Sequence, residues 1–449
     1  MKLLLVYPPF CTPASPPYSI ANIRSFLKAN SFCPEALDLN LLFHMKRFVR
    51  FKDYSQGLKA GYDPAEYLRV SLEFREESKA AYSESNKRVI AGEKPELFDE
   101  LFDMILERKP DVVAFSVVYS SQAFFALSLI TALKMSGVKT IVGGPAVNQA
   151  VIAAADHYCE DKVALYNLLS GNEFSGSDEC VIDYDIFPLA DYFVPEVVLP
   201  LKTSNTCYYK QCTYCTHYDK NKYREYDLEV IRESVKAAPA KRFFLVDEMI
   251  PKARLLELAR IFAPLGITWT CQLRPTRELD YDTLKTLRES GLVMMMWGVE
   301  SGNDRILGLI RKGTNVKDVS QVLSDSRKAG IKNVAYIIFG FPSETKEEFL
   351  DTIEFLKKNS DCIDLVSTSI FGLQKGTPIF KDPASYGIKN IVLSERTVLE
   401  PKITYETDGG LSAEDAKTFR KKYKKTLEKL DKYPKTMNFW REHMLCMIK

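Results

Sequence analysis

The sequence lacks an excess of charge of either sign, because 61 Lys and Arg residues balance 59 Asp and Glu residues. This balance argues against the basic surface that nucleic acids and anionic membranes select, so we expect neither as a partner. The sequence also lacks an unbroken apolar run of about 18 residues, which a membrane-spanning helix requires. Its opening apolar run is too short for a secretory signal, so we expect a soluble, cytoplasmic chain.

Cysteine occurs ten times and is scattered, apart from the closely spaced Cys207, Cys212 and Cys215. A cytoplasmic chain keeps its thiols reduced, so metal binding is favoured over disulfides. This C-x4-C-x2-C cluster has no fourth cysteine nearby, so it would hold a [4Fe–4S] cluster with one iron open to a substrate or cofactor. The alternative is a structural zinc site with His217 as fourth ligand, because structural zinc prefers four closed ligands.

The N-terminal part predicts an α/β domain. Apolar runs at residues 2–6, 112–117 and 138–142 are typical of buried strands, and helical spacing of apolar residues separates them. This alternation indicates a parallel, doubly wound, Rossmann-like sheet over residues 1–160. The charged, aromatic-rich stretch at 41–108 shows no strand signal and is interpreted as a helical insertion.

A second alternation predicts a partial (βα)6 barrel over residues 197–390, after a loop-rich linker at 161–196. Barrels of this kind carry their active site at the carboxyl ends of the strands. Thr345 and Glu348 form a capping-box pattern at the start of one of its helices. Residues 391–449 are expected to be a helical C-terminal extension. The six predicted strands are 197–203, 242–246, 267–273, 293–298, 333–339 and 365–370.

The cysteine cluster resembles that of the radical S-adenosylmethionine (radical SAM) enzymes, which carry an aromatic residue, here Tyr214, before the last cysteine. The family usually has C-x3-C-x2-C, and the longer first spacing resembles a subgroup with cobalamin-type N-terminal domains, including peptide-maturation enzymes. The resemblance implies that SAM binds the open iron through its amino and carboxylate groups. Reductive cleavage of SAM would then give a 5′-deoxyadenosyl radical that abstracts hydrogen from an unactivated C–H bond.

Three further segments resemble the family's strand-end motifs, and they occur in the family's order. They are Phe243-Phe-Leu-Val-Asp-Glu, Trp297-Gly-Val-Glu-Ser-Gly and Gly340-Phe-Pro-Ser-Glu-Thr. We expect Lys312, in a Lys-Gly pair that fits the family, to lie at the surface, as lone lysines usually do. The resemblance implies that SAM is contacted by Tyr214, Asp247, Glu248, Arg274, Glu300, Ser301, Gly340 and Pro342.

The N-terminal domain resembles a degenerate cobalamin-binding domain. Pro9, Ser116, Gly143 and Gly144 stand where loops would approach a corrin or its nucleotide tail. The Asp-x-His-x-x-Gly segment that supplies a cobalt-ligating histidine is absent, and His44 and His157 lie outside any such context. Cobalamin therefore binds without a histidine ligand, or the domain serves substrate recognition instead.

Family resemblance favours maturation of a peptide, by epimerisation or C-methylation, over action on a small metabolite. In epimerisation a thiol returns hydrogen to the substrate radical, and the candidate donors are Cys271, Cys362 and Cys446. The first alternative is a cobalamin-dependent methyltransferase of a small molecule, and the second is a non-catalytic metal-binding scaffold. An enzyme of this family implies a reducing partner such as flavodoxin or ferredoxin, and an oxygen-sensitive cluster suggests an anaerobic setting.

Overall fold

The computed structural model describes residues 1–58, 61–219 and 222–448. These residues form two compact units. The N-terminal unit comprises residues 1–200, 229–240 and 395–401, and the barrel unit comprises the other described residues. Among the described residues, no helix is both long and apolar enough to span a bilayer.

The N-terminal unit contains a five-stranded sheet in the order β2-β1-β3-β4-β5, with every neighbouring pair parallel. This order reverses direction between β1 and β3, which defines the switch point of a doubly wound fold. β1 and β3 are buried along their whole length, as their continuous apolar runs predict. The strands are β1 Leu3–Tyr7, β2 Glu35–Asp38, β3 Val112–Ser116, β4 Lys139–Gly143 and β5 His157–Tyr158.

The predicted insertion is helical, since α2 to α5 all lie between β2 and β3. The stretch at 161–196, which was expected to be loop-rich, begins with a helix because the Asp161 carboxylate caps it by accepting from the Ala164 N–H. The first eight helices are α1 Tyr18–Ala29, α2 Leu39–Arg47, α3 Val49–Gln56, α4 Pro64–Ile90, α5 Phe98–Leu106, α6 Ala123–Met135, α7 Gln149–Ala154 and α8 Lys162–Ser170.

A second sheet has six strands in sequential order, from β6 at one edge to β11 at the other, as a partial barrel requires. Every strand predicted from the second alternation is present, so this part of the fold prediction is confirmed. The strands are β6 Val198–Leu201, β7 Arg242–Leu245, β8 Thr268–Leu273, β9 Leu292–Glu300, β10 Lys332–Phe339 and β11 Leu365–Ile370.

Helices follow successive strands of this sheet along the chain. The predicted capping box is formed, because Thr345 accepts from the Glu348 N–H while Glu348 accepts from the Thr345 N–H. The helices are α9 Leu228–Ala237, α10 Lys252–Phe262, α11 Tyr281–Glu289, α12 Asp304–Ile310, α13 Val316–Lys328 and α14 Lys346–Lys358.

The C-terminal segment differs from the all-helical extension that we expected over 391–449. It includes an antiparallel hairpin of β12 (Ile388–Ser394) and β13 (Lys402–Thr407). The hairpin forms because Ile403 and Tyr405 alternate with polar residues and pack on a buried apolar cluster. The remaining helices are α15 Pro378–Lys381, α16 Ala413–Lys422, α17 Lys424–Glu428 and α18 Arg441–Met447.

Candidate active site

Cys207, Cys212 and Cys215 lie in the loop that follows β6, at the carboxyl end of the barrel strands. All three thiols are reduced and partly exposed. Burial raises the pKa of the Cys212 thiol to about 11, the Lys312 ammonium opposes this, and Cys215 and Cys207 raise the pKa further. The three sulfur atoms therefore lie within electrostatic range of one another.

The donor set of this loop fits an iron–sulfur cluster. Within the described ranges, no three His, Cys, Asp or Glu side chains are arranged to hold a single metal ion. A cubane cluster distributes its cysteine ligands over separate iron atoms, so it needs thiols around a shared space and not at one point. Soft thiolates around such a space suit iron and sulfide.

Thr213, between the second and third cysteines, anchors the loop to the barrel. Its N–H donates to the carbonyl of Ile310 at 3.0 Å, and its hydroxyl donates to the carbonyl of Leu309 at 3.1 Å. Its carbonyl accepts from the Ile379 N–H at 3.0 Å. This fully buried threonine thus fixes the loop against the end of α12 and the start of α15.

Tyr214, the next residue, joins the cysteine loop to a buried ion pair. Its hydroxyl donates to Glu300 Oε1 at 3.0 Å, and Lys312 Nζ donates to the same oxygen at 2.6 Å. Glu300 is 6% exposed and Lys312 is 4% exposed, so the expectation of a surface Lys312 is wrong. Burial alone would lower the pKa of Lys312, but the Glu300 carboxylate raises it above its usual value.

Gly298, two residues before Glu300, makes room for this pair. A Cβ at position 298 would lie 2.7 Å from Lys312 Nζ and 2.8 Å from Glu300 Oε1. Both charged groups therefore occupy the space over Gly298, on the face of β9 where its side chain would project. Any larger residue at 298 would displace the ion pair.

Arg274, at the carboxyl end of β8, packs against the same loop. Its guanidinium lies 3.5 Å from the centre of the Tyr209 ring, and it donates to the carbonyl of Lys312 at 3.0 Å. The Tyr209 hydroxyl in turn donates to the carbonyl of Arg311 at 2.8 Å. Arg274 Nε is buried without a hydrogen-bond partner among the residues described, so the guanidinium retains a donor for a ligand.

Asp247 and Glu248, after β7, have different environments. The fully buried Asp247 carboxylate accepts from the N–H and hydroxyl of Thr203 and from the Ser204 hydroxyl, at 2.6 to 3.1 Å. Burial raises its pKa to about 6. Glu248 is paired with Lys202 at 3.3 Å through one oxygen, and its other oxygen has no partner in the described part of the chain. Asp247 thus supports the start of the loop, and Glu248 keeps an acceptor for a ligand.

Ser301, Gly340 and Pro342 have packing environments that the motifs did not indicate. The buried Ser301 hydroxyl lies 3.2 Å from that of Thr352 in α14 and accepts from the Asn303 N–H. A Cβ at Gly340 would lie 2.7 Å from the Cβ of Ala416 in α16, so packing of α16 requires this glycine. Pro342 is buried in the same turn.

The three isolated cysteines lie away from the carboxyl ends of the strands. Cys271 is within β8 and fully buried, with its sulfur 3.5 Å from the Met295 sulfur. Cys362 precedes β11 and therefore lies at the opposite, amino end of that strand. Cys446 is buried in α18. A role for any of them as hydrogen donor stays a prediction.

In the N-terminal unit, the residues considered for cobalamin lie at or just after the carboxyl ends of neighbouring strands. Ser116 donates to the Ser19 hydroxyl at 2.8 Å. Cβ atoms at Gly143 and Gly144 would lie 2.6 and 2.3 Å from the carbonyl oxygens of Cys159 and Val117. Close contacts within the unit therefore explain why both positions are glycine, with or without a ligand.

Gln122, which the sequence did not single out, ties the loops after β1 and β3 together. Its amide oxygen accepts from the N–H groups of Val118 and Tyr119, and its amide nitrogen donates to the carbonyl of Pro8, next to Pro9. His44 is buried with Nδ1 2.7 Å from the carbonyl of Asn40, and burial lowers its pKa to about 4. His44 is thus committed to the interior of the unit. A corrinoid at the switch-point edge would therefore lack His44 as a ligand.

Residues 201–356 match the family model of the radical SAM superfamily, a segment that contains the cysteine loop and the Glu300–Lys312 pair. Residues 201–356 therefore form a radical SAM domain, as the cysteine motif predicts. A domain of this class uses a [4Fe–4S] cluster and SAM, which agrees with the donor set of the loop.

The chain is similar to methyltransferases and to cobalamin-dependent enzymes of this class. It is 30% identical over 183 residues to bacteriochlorophyllide d C-12(1)-methyltransferase of Chlorobaculum tepidum, a match that covers 38% of the chain and only 40% of that relative. The structure of the cobalamin-dependent SAM radical enzyme OxsB with aqua-cobalamin has a TM-score of 0.66, with 14% identity, 94% of this chain and 67% of that chain covered.

The radical SAM methyltransferase TsrM of Kitasatospora setae, with cobalamin and a [4Fe–4S] cluster bound, has a TM-score of 0.58. Its identity to this chain is 14%, and the match covers 89% of this chain and 83% of that chain. At this identity both likenesses show the fold alone. They confirm the predicted α/β class, with a Rossmann-like N-terminal domain and a radical SAM partial barrel.

Proposed function

We propose that this radical SAM enzyme is a cobalamin-dependent methyltransferase. The observation that carries the proposal is the match of nearly the whole chain, doubly wound unit included, to the folds of cobalamin-dependent radical SAM enzymes. Similarity to a curated methyltransferase supports the same reaction. We therefore prefer cobalamin-dependent methyl transfer, the first alternative from sequence, to epimerisation of a peptide.

The positions of the three isolated cysteines also favour methyl transfer over epimerisation. Epimerisation needs a hydrogen donor next to the substrate radical, and the candidate Cys271 is buried against Met295 within β8. Cys362 lies at the amino end of β11, and Cys446 lies in α18. Methyl transfer needs no such thiol, so these cysteines are assigned no role in it.

In this proposal Cys207, Cys212 and Cys215 hold the cluster. Among the described residues, one carboxylate oxygen of Glu248 has no partner and could accept from the amino group of SAM. Arg274 Nε likewise has no partner there and could donate to the SAM carboxylate. When bound, the cluster and SAM supply reductive cleavage of SAM, and a corrinoid supplies a methyl carrier. Tyr214, Glu300 and Lys312 orient the loop by joining it to β9 through hydrogen bonds of 3.0 and 2.6 Å.

The corrinoid is assigned to the carboxyl edge of the N-terminal sheet, where doubly wound folds bind ligands at the switch point. Pro9 follows one of the two strands that flank this point and Ser116 ends the other, while Gly143 ends the next strand and Gly144 follows it. No histidine of this edge serves as cobalt ligand in the proposal, because His44 is buried and bonded to Asn40.

The test is anaerobic purification with hydroxocobalamin, followed by incubation with SAM and a reductant. We expect close to one corrinoid per chain, and release of S-adenosylhomocysteine that depends on it. Protein purified without a corrinoid is the control. No corrinoid after reconstitution, together with solvent deuterium incorporated into a substrate of unchanged connectivity, would contradict methyl transfer and favour epimerisation.

A further inference from the structure

Tyr336 lies beside the Glu300–Lys312 pair, on the face of the sheet opposite the helices. Asn333, on the same strand, donates to and accepts from groups on the helix side, including Ser326 of α13. Because side chains alternate along a strand, Tyr336 projects to the other face. Its register partner in β9 is Gly298, and the ion pair occupies the space over that glycine.

Two donors near this position have no acceptor. The Tyr336 hydroxyl is buried and has no hydrogen-bond partner in the described part of the protein. The guanidinium of Arg441, at the start of α18, lies 4.9 Å from the centre of the Tyr336 ring, and its Nε is also buried without a partner there. Unsatisfied buried donors are rare in folded proteins because each costs about 1–3 kcal/mol, so their acceptor has to be explained.

Two nearby carboxylates do not supply this acceptor. Glu442, the residue after the arginine, acts electrostatically on both the phenol and the guanidinium, but neither unpartnered donor is bonded to it. Glu300 is already bonded to Lys312 and Tyr214 through Oε1. The local arrangement therefore has a guanidinium and a phenol that both lack a hydrogen-bond acceptor among the described residues. A planar guanidinium with a neighbouring hydroxyl matches the two oxygens of a carboxylate, whereas a phosphate dianion would call for more positive charge.

We infer that Tyr336 and Arg441 form a substrate subsite that binds a carboxylate group. The subsite is one strand away from the Glu300–Lys312 pair, on the same face of the barrel sheet. It implies that the methyl acceptor is an acidic molecule held at its carboxylate. This inference rests on the proposed function only in calling the ligand a substrate, since carboxylate binding itself requires no methyl transfer.

The experiment measures binding of acetate by saturation-transfer difference NMR, with cluster-loaded protein and saturating SAM so that SAM occupies its own carboxylate-binding groups. Methyl acetate is the uncharged analogue, and inorganic phosphate is the competing oxyanion. We expect a signal from the acetate methyl group, little signal from methyl acetate, and weak competition by phosphate. No acetate signal, or equal signals from acetate and methyl acetate, would overturn the inference.

The variants assign the binding to these two residues. Arg441→Gln should weaken acetate binding about tenfold, as loss of a charge-assisted hydrogen bond predicts. Tyr336→Phe should weaken it about threefold, as loss of a neutral hydrogen bond predicts. The exposed Arg260→Gln in α10 is the matched control and should bind like the original protein. If Arg441→Gln does not fold, Arg441→Lys takes its place. Unchanged acetate binding both in Tyr336→Phe and in the folded arginine variant would show that acetate binds elsewhere. Failure of methyl transfer alone would leave this result intact.

Discussion

Lys312 Nζ lies 2.6 Å from Glu300 Oε1, and both side chains are almost completely buried. The same carboxylate oxygen accepts the hydroxyl of Tyr214, which stands between two cysteines of the proposed cluster site. One buried ion pair thus joins β9, the segment after α12 and the cysteine loop. The Lys312 ammonium lowers the pKa of the Cys212 thiol and the Glu300 carboxylate raises it, which indicates that both charges lie close to the site.

The ion pair should set the reduction potential of the cluster. Lys312→Met removes a positive charge and should lower the midpoint potential, while Glu300→Gln removes a negative charge and should raise it. Each shift is expected to be on the order of tens of millivolts, because charges in a protein interior are only partly screened. Redox titration monitored by electron paramagnetic resonance measures both shifts.

The double variant provides the internal check, since replacing both charges should restore a potential near that of the original protein. The exposed Lys317→Met removes a positive charge from α13 and should leave the potential unchanged. Equal potentials in the original protein, Lys312→Met and Glu300→Gln at full iron content would show that the pair does not act on the cluster.

Gly298→Ala should destabilise the barrel unit by about 1–3 kcal/mol, because overpacking a buried site forces its neighbours to move. The new Cβ would lie 2.7 Å from Lys312 Nζ. Chemical denaturation of the protein without its cofactors gives the free energy of unfolding. Gly308→Ala in α12 is the matched control, since a Cβ there meets nothing within 4 Å. A helix favours Ala over Gly by up to about 1 kcal/mol, so Gly308→Ala should not lower the free energy of unfolding. If Gly308→Ala lowered it as much as Gly298→Ala does, the steric argument would be refuted.

Glu344 should make stability fall as pH rises. Burial raises the pKa of this carboxyl from 4.5 to about 8, and one of its oxygens accepts from the Gly340 N–H. The folded state therefore holds the proton more tightly than the unfolded state. This contribution is fully present below about pH 4.5 and is lost as pH rises through about 8.

Glu344→Gln should flatten this dependence, which can reach about 1.4 kcal/mol per pH unit. The free energy of unfolding is measured at several pH values across that interval, and the variant should gain relative to the original protein at the alkaline end. The exposed Glu347→Gln in α14 should follow the original profile. Parallel profiles for the original protein and Glu344→Gln would mean that the pKa of Glu344 is the same in the folded and unfolded states.

Cys212→Ala should abolish the brown colour and the iron content of anaerobically reconstituted protein, because the cluster would lose one of its three protein ligands. Cys362→Ala is the matched control, since this partly exposed cysteine precedes β11 at the amino end of the strand. Iron and labile sulfide are determined for each protein. Full iron content in Cys212→Ala, or equal loss in both variants, would be incompatible with the ligand assignment.

Much of the fold could be predicted because strand burial leaves a direct mark on sequence. The buried β1 and β3 read as continuous apolar runs, and the capping box of Thr345 and Glu348 marks the start of α14. The short β2 and β5 were missed, since a strand of four or two residues leaves no periodicity to detect. The hairpin at β12 and β13 was missed because its burial depends on contacts with a distant apolar cluster.

The site was less predictable, because side-chain partners depend on tertiary packing. Lys312 resembles an ordinary surface lysine in sequence, and only the fold brings it to Glu300 across the absent side chain of Gly298. The resemblance implies a SAM contact at Gly340, but the sequence does not show that a Cβ there would lie 2.7 Å from the Cβ of Ala416. The motifs were more informative at strand ends. There, Arg274 and Glu248 each keep one side-chain atom without a hydrogen-bond partner among the described residues.

The most direct test of radical SAM activity at the cysteine loop is formation of 5′-deoxyadenosine from SAM after anaerobic reconstitution with iron and sulfide. With a strong reductant, the original protein and Cys362→Ala should form 5′-deoxyadenosine and methionine in equal amounts, while Cys212→Ala should form neither. Absence of 5′-deoxyadenosine from protein with a full, reducible cluster and bound SAM, or its persistence in Cys212→Ala, would contradict the assignment.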